Sequence, residues 1–184
     1  DYLTEDYLKF GFSPTKVHTL MNSVDTNFFH PTTSQVEKRT LRKMYSLPEE
    51  AKILVFVGSI IQRKGVDILT KAFITAAQRD NDLCLIVVGA RNKQENPSLD
   101  EDFVSNLHKE LEENGVSNKV TFLGLIQNRD QLADLYRLSD IFVFPSRNEG
   151  LPNVVLEAMA CGLTVIVSRL PVLENVIANG ENGF

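Results

Sequence analysis

Two glutamates, eight residues apart, flank a turn that is rich in backbone hydrogen-bond donors. Glu149 precedes Gly150 and Pro152 after an apolar run that ends at Phe144, and Glu157 follows in the next predicted helix. Proline near the first helical position removes an N–H group that would be unpaired there in any case. Glycine lets a ligand approach the backbone closely. The candidate amide donors of this turn are those of Leu151, Asn153 and Val154.

The two carboxylates and the free amides complement each other chemically. An ionised carboxylate only accepts hydrogen bonds, whereas amides at a helix N-terminus donate them. Glu157 also stands in a helix stretch where an unpaired carboxylate is seldom found. Its apolar neighbours in sequence are Val154, Val155, Leu156, Ala158, Met159 and Ala160. Such a set suits a ligand that carries both hydroxyls and phosphates, and a nucleoside diphosphate sugar carries both.

A second candidate site follows an earlier predicted strand, in the segment from Gly58 to Gly65. Arg63 and Lys64 stand there at the beginning of a predicted helix, where the helix dipole places partial positive charge. Cations are normally found at the other end of a helix, so this pair favours a bound anion such as a phosphate. Two solvated surface charges are the alternative interpretation. The segment lacks the residue order of a P-loop.

Both candidate sites lie where predicted strands meet predicted helices. From residue 50 onward, short runs rich in β-branched residues alternate with longer amphipathic segments, which predicts an α/β fold with a Rossmann-like parallel sheet flanked by helices. Ligands of such sheets bind at the carboxyl ends of the strands. The predicted strands are 53–57, 83–88, 120–123, 141–144 and 164–167. The predicted helices are 64–78, 99–114, 130–138, 153–161 and 172–179. Before residue 50 we predict helices over 1–10 and 34–45, and a strand over 17–21.

The composition excludes several classes of protein. The 184 residues, 43% hydrophobic and 23% charged, are typical of one globular domain. Nineteen basic and 24 acidic residues give a net charge of −5, so no global positive field attracts nucleic acid or an anionic membrane. No apolar run is long enough to span a membrane, and no signal peptide is visible, so we predict a cytoplasmic protein. Cys84 and Cys161 lie in apolar runs and are expected to be reduced and buried.

The string E-G-L-P-N-V-V-L-E-A-M-A-C-G over 149–162 resembles the signature of the retaining group 1 glycosyltransferases, family four, which have the glycosyltransferase B fold. Further segments agree in the same order. They are N-S-V-D at 22–25, R-K-G at 63–65, V-T-F-L-G at 120–124 and N-G-E-N-G-F at 179–184. The resemblance extends over nearly the whole chain. It identifies a family and leaves the base, the sugar and the acceptor open.

The resemblance implies a two-domain enzyme of which this chain is the C-terminal, donor-binding half, cut at both ends. Residues 1–31 would be a remnant of the N-terminal domain with the inter-domain segment. Residues 32–184 would be the nucleotide-sugar-binding domain, incomplete at its C-terminal end. Because the acceptor half is missing, this fragment is expected to be inactive alone.

The implied reaction moves a sugar, with retention, from a nucleoside diphosphate sugar to an acceptor hydroxyl in glycan or glycoconjugate biosynthesis. UDP or GDP is the expected nucleotide of the donor, and no further cofactor is expected. The acceptor would be a sugar, a lipid-linked molecule or a glycan, held by the N-terminal domain. A peripheral position at the membrane stays open for the full-length protein.

The family motif implies roles for individual residues by position. Lys64, with Arg63 beside it, would bind the diphosphate. Glu149 would bind the hydroxyls of the donor sugar, and Glu157 those of the ribose. Glu149, Lys64 and Arg63 are therefore the implied catalytic residues. The remaining donor contacts would come from Gly58 and Ser59 at the phosphate loop, Gly124 and Leu125 at the base, and Gly150, Leu151, Pro152, Asn153 and Val154 at the sugar or β-phosphate.

Ser59 departs from the family pattern, in which arginine usually follows the glycine that matches Gly58. Serine offers no charged fork to a leaving diphosphate, so either Arg63 compensates or the phosphates are held less strongly. A non-catalytic nucleotide-sugar-binding or regulatory paralogue is therefore the alternative function. An oxidoreductase is disfavoured because no G-x-G-x-x-G follows a strand. Ser146 lacks the G-x-S-x-G context of a hydrolase nucleophile.

One acidic motif offers a competing hypothesis that involves a metal. Residues 100–102, Asp-Glu-Asp, have the D-x-D form of metal-dependent glycosyltransferases with the other fold. They follow a helix-start signal, where acidic residues interact favourably with the helix dipole, so we favour capping and predict no metal requirement. The histidines have no metal-ligand spacing and are expected to be structural or solvated. They are His18, His30 and His108.

Overall fold

The computed structural model describes residues 2–18 and 20–184, which contain a parallel sheet of five strands. The strands are β1 (Lys52–Val57), β2 (Leu83–Val88), β3 (Val120–Gly124), β4 (Ile141–Phe144) and β5 (Thr164–Val167). Their order across the sheet is β3-β2-β1-β4-β5. All five predicted strands are confirmed, and none of their ends differs from the prediction by more than one residue.

The described residues also form six α-helices. They are α1 (Tyr2–Lys9), α2 (Gln35–Met44), α3 (Val66–Ala77), α4 (Glu101–Glu113), α5 (Arg129–Leu138) and α6 (Asn153–Ala160). Shorter 3-10 turns occupy Pro14–Lys16, Gln62–Lys64 and Ser117–Lys119. None of the helices in this part of the chain has the length and apolar character that a membrane span requires.

Apart from the exposed Lys52 at the start of β1, the central strands β2, β1 and β4 are apolar because helices cover both faces of the sheet. Ile53, Val55 and Phe56 of β1 are completely buried. Helices α3 and α4 pack together over one face, while α2, α5 and α6 pack over the other. Right-handed crossovers require this division, since the chain moves from β1 toward β3 through α3 and α4, and from β3 back toward β5 through α5 and α6.

The strand order reverses between β1 and β4, which lie side by side in parallel. From β1 the chain turns toward α3 and β2, whereas from β4 it turns toward α6 and β5. The two connections diverge and leave a crevice at the carboxyl ends of β1 and β4. Both candidate sites from the sequence follow these two strands.

Two predicted elements are wrong. Residues 172–179 form turns in place of a helix. The Asn182 side chain accepts a hydrogen bond from the Ala178 amide (2.8 Å) and donates to the Val176 carbonyl (3.0 Å), and these bonds compete with the helical ladder. The strand predicted over 17–21 is not formed by residues 17, 18, 20 and 21, since no neighbouring strand pairs with them. Thr19, and Asp1 of the predicted first helix, lie outside the described residues.

Residues 22–31, the linker segment, pack against α5 of the sheet domain. Phe29 is buried and meets the ring of Tyr136 edge to face, with ring centroids 6.0 Å apart. Arg137 donates to the carbonyl oxygens of Phe28 (2.8 Å) and His30 (3.3 Å). The linker segment is therefore anchored to α5 by apolar packing and by hydrogen bonds. The predicted domain boundary at residue 31 stays a prediction.

The two cysteines are free thiols, as predicted. Cys161 is buried and Cys84 is half-buried. Burial raises the pKa of both thiols, that of Cys161 to about 11. Both side chains are therefore protonated at neutral pH and contribute apolar packing.

The buried guanidinium of Arg42 lies at the amino ends of the strands, on the side of the sheet away from the crevice. It donates to the carbonyl oxygens of Leu138 (3.0 Å), Glu49 (2.6 Å) and Ala51 (3.0 Å). It also donates to Asp140 Oδ2 (2.8 Å), which accepts a further hydrogen bond from the Ile53 amide (2.7 Å). Arg42 therefore links α2 to the chain just before β1 and to the chain just before β4.

We expect the Arg42→Met variant to lose about 3 kcal/mol of unfolding free energy, because it leaves buried carbonyl groups without a donor and weakens the neutralisation of Asp140. Urea unfolding of the purified chain measures this loss. Arg39→Met is the matched control, since the Arg39–Glu50 ion pair is exposed and its removal costs less than about 1 kcal/mol. Equal losses in the two variants would contradict the assignment.

Candidate functional site

The segment after β1 and the segment after β4 meet at the crevice. Lys64 Nζ lies 2.7 Å from Glu149 Oε1, and Arg63 Nη1 lies 3.3 Å from the same oxygen. Arg63 also donates to the Asn148 carbonyl (2.7 Å). Arg63 and Lys64, the basic pair, therefore form one cluster with Glu149. Lys64 and Glu149 are 85 residues apart in the chain.

A close backbone approach makes this contact possible. Gly65 has a φ of 71°, and a β-carbon placed on it would lie 1.9 Å from the carbonyl oxygen of Pro145. Only glycine both adopts the left-handed conformation easily and fits where there is no room for a β-carbon. The same left-handed residue separates the 3-10 turn Gln62–Lys64 from α3, so the α-helix begins at Val66. The sequence predicted one helix from residue 64.

Arg147 holds the two segments together from outside the cluster. Its guanidinium makes a bidentate contact with Asp67 in the first turn of α3 (2.9 and 2.7 Å) and also donates to the Gln62 carbonyl. Its amide donates to the Arg63 carbonyl (2.8 Å). The hydrogen bonds from Arg147 lower the pKa of the Asp67 carboxyl, which therefore stays ionised. Sequence reasoning missed this contact because no local spacing relates Asp67 to Arg147.

Glu149 is nearly buried, with 9% of its side chain exposed, and is surrounded by donors. Its Oε1 accepts from Lys64 Nζ and from the Ser146 hydroxyl (2.6 Å). Burial acts to raise the pKa of Glu149, but hydrogen bonds from Lys64 and Ser146 and the nearby positive charges outweigh burial and lower it. Lys64 Nζ also lies 5.1 Å from the ring centroid of Phe144, a cation–π contact. Ser146 was rejected as a nucleophile, and its role as a donor to Glu149 was not predicted.

The start of α6 presents backbone donors beside this cluster. The N–H groups of Leu151, Asn153 and Val154 receive no acceptor from the described part of the chain, as predicted. The Leu151 carbonyl accepts a hydrogen bond from Asn22 Nδ2 (2.6 Å), so the linker segment contacts the same turn. Pro152 is the residue that precedes the first helical position. The amides are therefore available to a ligand with phosphate or hydroxyl oxygens.

Glu157 lies within α6 and is half-buried. Its Oε2 accepts a hydrogen bond from the Tyr136 hydroxyl (3.0 Å), and Oε1 receives no donor from the residues that the structure describes. Burial raises the pKa of Glu157, whereas the Tyr136 hydrogen bond and the charge of Arg129 act to lower it. The sequence predicted Glu157 as a candidate site residue but did not predict its tyrosine partner, which lies on the neighbouring helix α5.

A cleft of about 240 Å³ lies at the carboxyl ends of β1 and β2. Gly58, Ser59 and Leu125, three of the residues predicted to contact the donor, are among the residues that line it. Gly124 is not one of the lining residues, and the guanidinium of Arg91 lies against its α-carbon. Glu95 Oε2 accepts from the amides of Arg91 (2.9 Å) and Leu125 (3.1 Å) and so ties the segment after β2 to the segment after β3.

The acidic motif at 100–102 forms a helix start. Asp100 is the N-cap of α4, and its Oδ1 accepts a hydrogen bond from the Phe103 amide (3.1 Å). Glu101 Oε1 accepts from the amide of Lys93 (3.2 Å). The predicted capping role is therefore confirmed. Within residues 2–18 and 20–184, no group of three or more His, Cys, Asp or Glu side chains is arranged to hold a metal ion.

The comparison with protein families decides which family this geometry belongs to. A family model described as "Glycosyl transferases group 1" matches residues 37–184. The chain belongs to the group 1 glycosyl transferases. This match confirms the family that the motifs at 149–162 predicted.

Curated relatives align with nearly all of the chain. D-inositol 3-phosphate glycosyltransferase 2 from Catenulispora acidiphila is 33% identical over 178 residues, which are 95% of this chain and 39% of the relative. Mannosylfructose-phosphate synthase from Agrobacterium fabrum is 30% identical over 185 residues, which are 100% of this chain and 38% of the relative. The chain therefore spans about two fifths of the length of these relatives.

Two solved structures share the fold, and one of them is described as part of a group 1 glycosyl transferase. The C-terminal domain of such a protein from Francisella tularensis superposes with a TM-score of 0.76 at 25% identity, covering 88% of this chain and 78% of that domain. HepE from Anabaena, solved with UDP and glucose, superposes with a TM-score of 0.77 at 23% identity, covering 98% of this chain and 46% of HepE. The predicted C-terminal domain of a glycosyltransferase B fold is confirmed.

We expect Gly65→Ala to lower the unfolding free energy by about 1–2 kcal/mol for the left-handed backbone and by about 1–3 kcal/mol more for the clash with Pro145. Gly115→Ala is the matched control, because Gly115 has a φ of 70° and a β-carbon placed on it would meet nothing within 4 Å. Urea unfolding of both variants isolates the clash. A loss no larger than that of the control would show that the two segments separate freely.

Proposed function

We propose that this chain is the donor-binding half of a retaining glycosyltransferase that moves a sugar from a nucleoside diphosphate sugar to an acceptor hydroxyl. The observation that carries the proposal is the contact between Lys64 and Glu149. This contact brings a cation for phosphate and a carboxylate for sugar hydroxyls to one point of the crevice. The acceptor, whether a sugar, a lipid-linked molecule or a glycan, would be bound by a further domain.

The diphosphate of the donor would bind at the basic pair. Arg63 and Lys64 carry two positive charges and Glu149 carries one negative charge, so the cluster has one positive charge in excess. The Arg63 side chain is 49% exposed, so part of its guanidinium is accessible to a ligand. When the bond from the anomeric carbon to the diphosphate breaks, negative charge grows on the leaving oxygen. Cations and helix amides fixed beside that oxygen stabilise the charge.

The hydroxyls of the donor would bind at the two carboxylates. Lys64, Ser146 and Arg63 all approach Oε1 of Glu149, so Oε2 is the oxygen left for the hydroxyls of the sugar. Oε1 of Glu157 would accept from the ribose hydroxyls. The amides at the start of α6 would contact the sugar or β-phosphate, and the cleft beside Leu125 would hold the base.

UDP and GDP are the nucleotides that we expect in the donor. HepE, whose fold this chain shares, was solved with UDP. The names of the curated relatives describe glycosyl transfer to a small phosphorylated acceptor or the synthesis of a phosphorylated disaccharide derivative. For this chain we propose a sugar-nucleotide donor and a role in glycan or glycoconjugate biosynthesis in the cytoplasm, and we assign no acceptor.

One observation favours a second candidate function. Ser59 lies in the cleft at the position where the family usually has arginine, so one phosphate-binding charge is missing. A regulatory or non-catalytic protein that binds the nucleotide sugar without transferring it would tolerate this loss. Assaying the full-length protein for donor hydrolysis and transfer separates the two functions, since the second predicts binding with no product.

We expect nucleoside diphosphates to bind this chain and to raise its melting temperature by mass action. A thermal-shift screen of UDP, GDP and ADP identifies the base. By titration calorimetry, Lys64→Ala and Glu157→Ala should each weaken the binding about tenfold, because each removes a charged hydrogen-bond partner. Lys71→Ala is the control, since Lys71 is an exposed lysine on α3. Equal affinities in all four proteins would remove both residues from the site.

We expect EDTA to leave the nucleotide affinity unchanged. The positive charge for the diphosphate comes from side chains and helix amides, and the acidic motif at 100–102 caps α4. Calorimetric titration of UDP before and after EDTA treatment measures this. A loss of binding that Mn²⁺ restores would contradict the proposal of metal-independent binding.

A further inference from the structure

Tyr136 lies behind the proposed ribose site and has no exposed surface. Its hydroxyl group donates to Glu157 Oε2 over 3.0 Å. Burial and the nearby Glu157 charge keep the pKa of Tyr136 well above its usual value, so the phenol remains a neutral donor. A buried tyrosine hydroxyl needs a partner, and here that partner is a carboxylate with a proposed function.

The ring of Tyr136 is fixed from two sides. Phe142 of β4 and Phe29 of the linker segment each meet it edge to face, with ring centroids 6.0 Å apart in both pairs. Phe29 and Phe142 are themselves buried. The position of the hydroxyl is therefore set by the sheet on one side and by the linker segment on the other, and the hydroxyl in turn fixes Glu157.

We propose that Tyr136 is a positioning residue that orients the Glu157 carboxylate, so that Oε1 is presented to the ribose hydroxyls of the donor. This inference rests on the proposed function. Tyr136 itself does not touch the nucleotide. A carboxylate held through one oxygen cannot rotate freely, so its second oxygen keeps one direction and loses less freedom when the ligand binds.

The groups around Glu157 predict how the effect changes with pH. Tyr136 and Arg129 both favour the ionised carboxylate, while burial disfavours it and already raises the pKa of Glu157. The Cys161 thiol is a further titratable neighbour and stays protonated, because burial raises its pKa to about 11. Removing the Tyr136 hydroxyl therefore raises the pKa of Glu157 further, and the carboxylate is lost as an acceptor at a higher pH.

The test compares Tyr136→Phe with the unmodified chain, because this substitution removes the hydroxyl and keeps the ring. Binding is measured by titration calorimetry with UDP and GDP, and with the 2′,3′-dideoxy form of whichever nucleotide binds. Tyr136→Phe should weaken the binding of the normal nucleotide about tenfold, more as the pH falls, and leave the dideoxy form unaffected. Glu157→Gln should also weaken the binding of the normal nucleotide and leave the dideoxy form unaffected, but its loss should not grow as the pH falls, because glutamine does not titrate. Tyr45→Phe, which alters a half-buried tyrosine at the C-terminal end of α2, should change neither.

The possible results separate a failure of the Tyr136 inference from a failure of the proposed function. If Tyr136→Phe binds the normal nucleotide like the unmodified chain, or weakens both forms equally, Tyr136 has no positioning role and the inference is wrong. If Glu157→Gln alone is without effect, Glu157 does not meet the ribose, which overturns the inference but leaves the donor-binding proposal intact. If the unmodified chain binds neither UDP nor GDP, the proposed function fails, and this inference fails with it.

Discussion

The contact between the segments after β1 and β4 is the constraint on which the rest of the site depends. Pro145 comes so close to Gly65 that a single additional carbon would collide with its carbonyl oxygen. This approach lets Lys64 reach Glu149 and lets Arg147 span from one segment to Asp67 on the other. A cation at the start of a helix is unfavourable alone. Here Glu149 partly neutralises it, and an excess of positive charge remains for an anionic ligand.

The amino and carboxyl ends of the parallel strands differ in how their polar groups are paired. At the amino ends of the strands, Arg42 and Asp140 form a closed network in which buried donors and acceptors satisfy one another. At the carboxyl ends, the amides of α6 and one oxygen each of Glu149 and Glu157 are left without a partner from the described residues. Closed networks stabilise a fold, whereas open donors and acceptors at strand ends are available to a ligand.

The linker segment contacts the candidate site at the carboxyl ends of the strands in two places. Asn22 donates a hydrogen bond to the Leu151 carbonyl in the turn before α6, and Phe29 packs against Tyr136, which in turn contacts Glu157. Two groups of the proposed donor site are therefore in contact, directly or through one side chain, with residues that precede the sheet domain. A change in the position of the linker segment would therefore act on both groups.

Local sequence patterns predicted all five strands and six of the seven expected helices correctly, and they singled out the charged residues of the crevice. Periodicity and β-branched runs depend on neighbours in the chain, and the motif at 149–162 is contiguous. The helix prediction at 172–179 failed because the Asn182 side chain accepts a hydrogen bond from the Ala178 amide and donates one to the Val176 carbonyl, and local patterning does not reveal these bonds. The tertiary structure was needed to show that Glu149 is held by Lys64 and Ser146, that Arg147 pairs with Asp67, and that Tyr136 holds Glu157. Three of these contacts join residues 21 to 85 positions apart on elements that the fold brings together, whereas the contact between Ser146 and Glu149 depends on the conformation of one turn. Neither geometry is encoded by a periodic pattern within one segment.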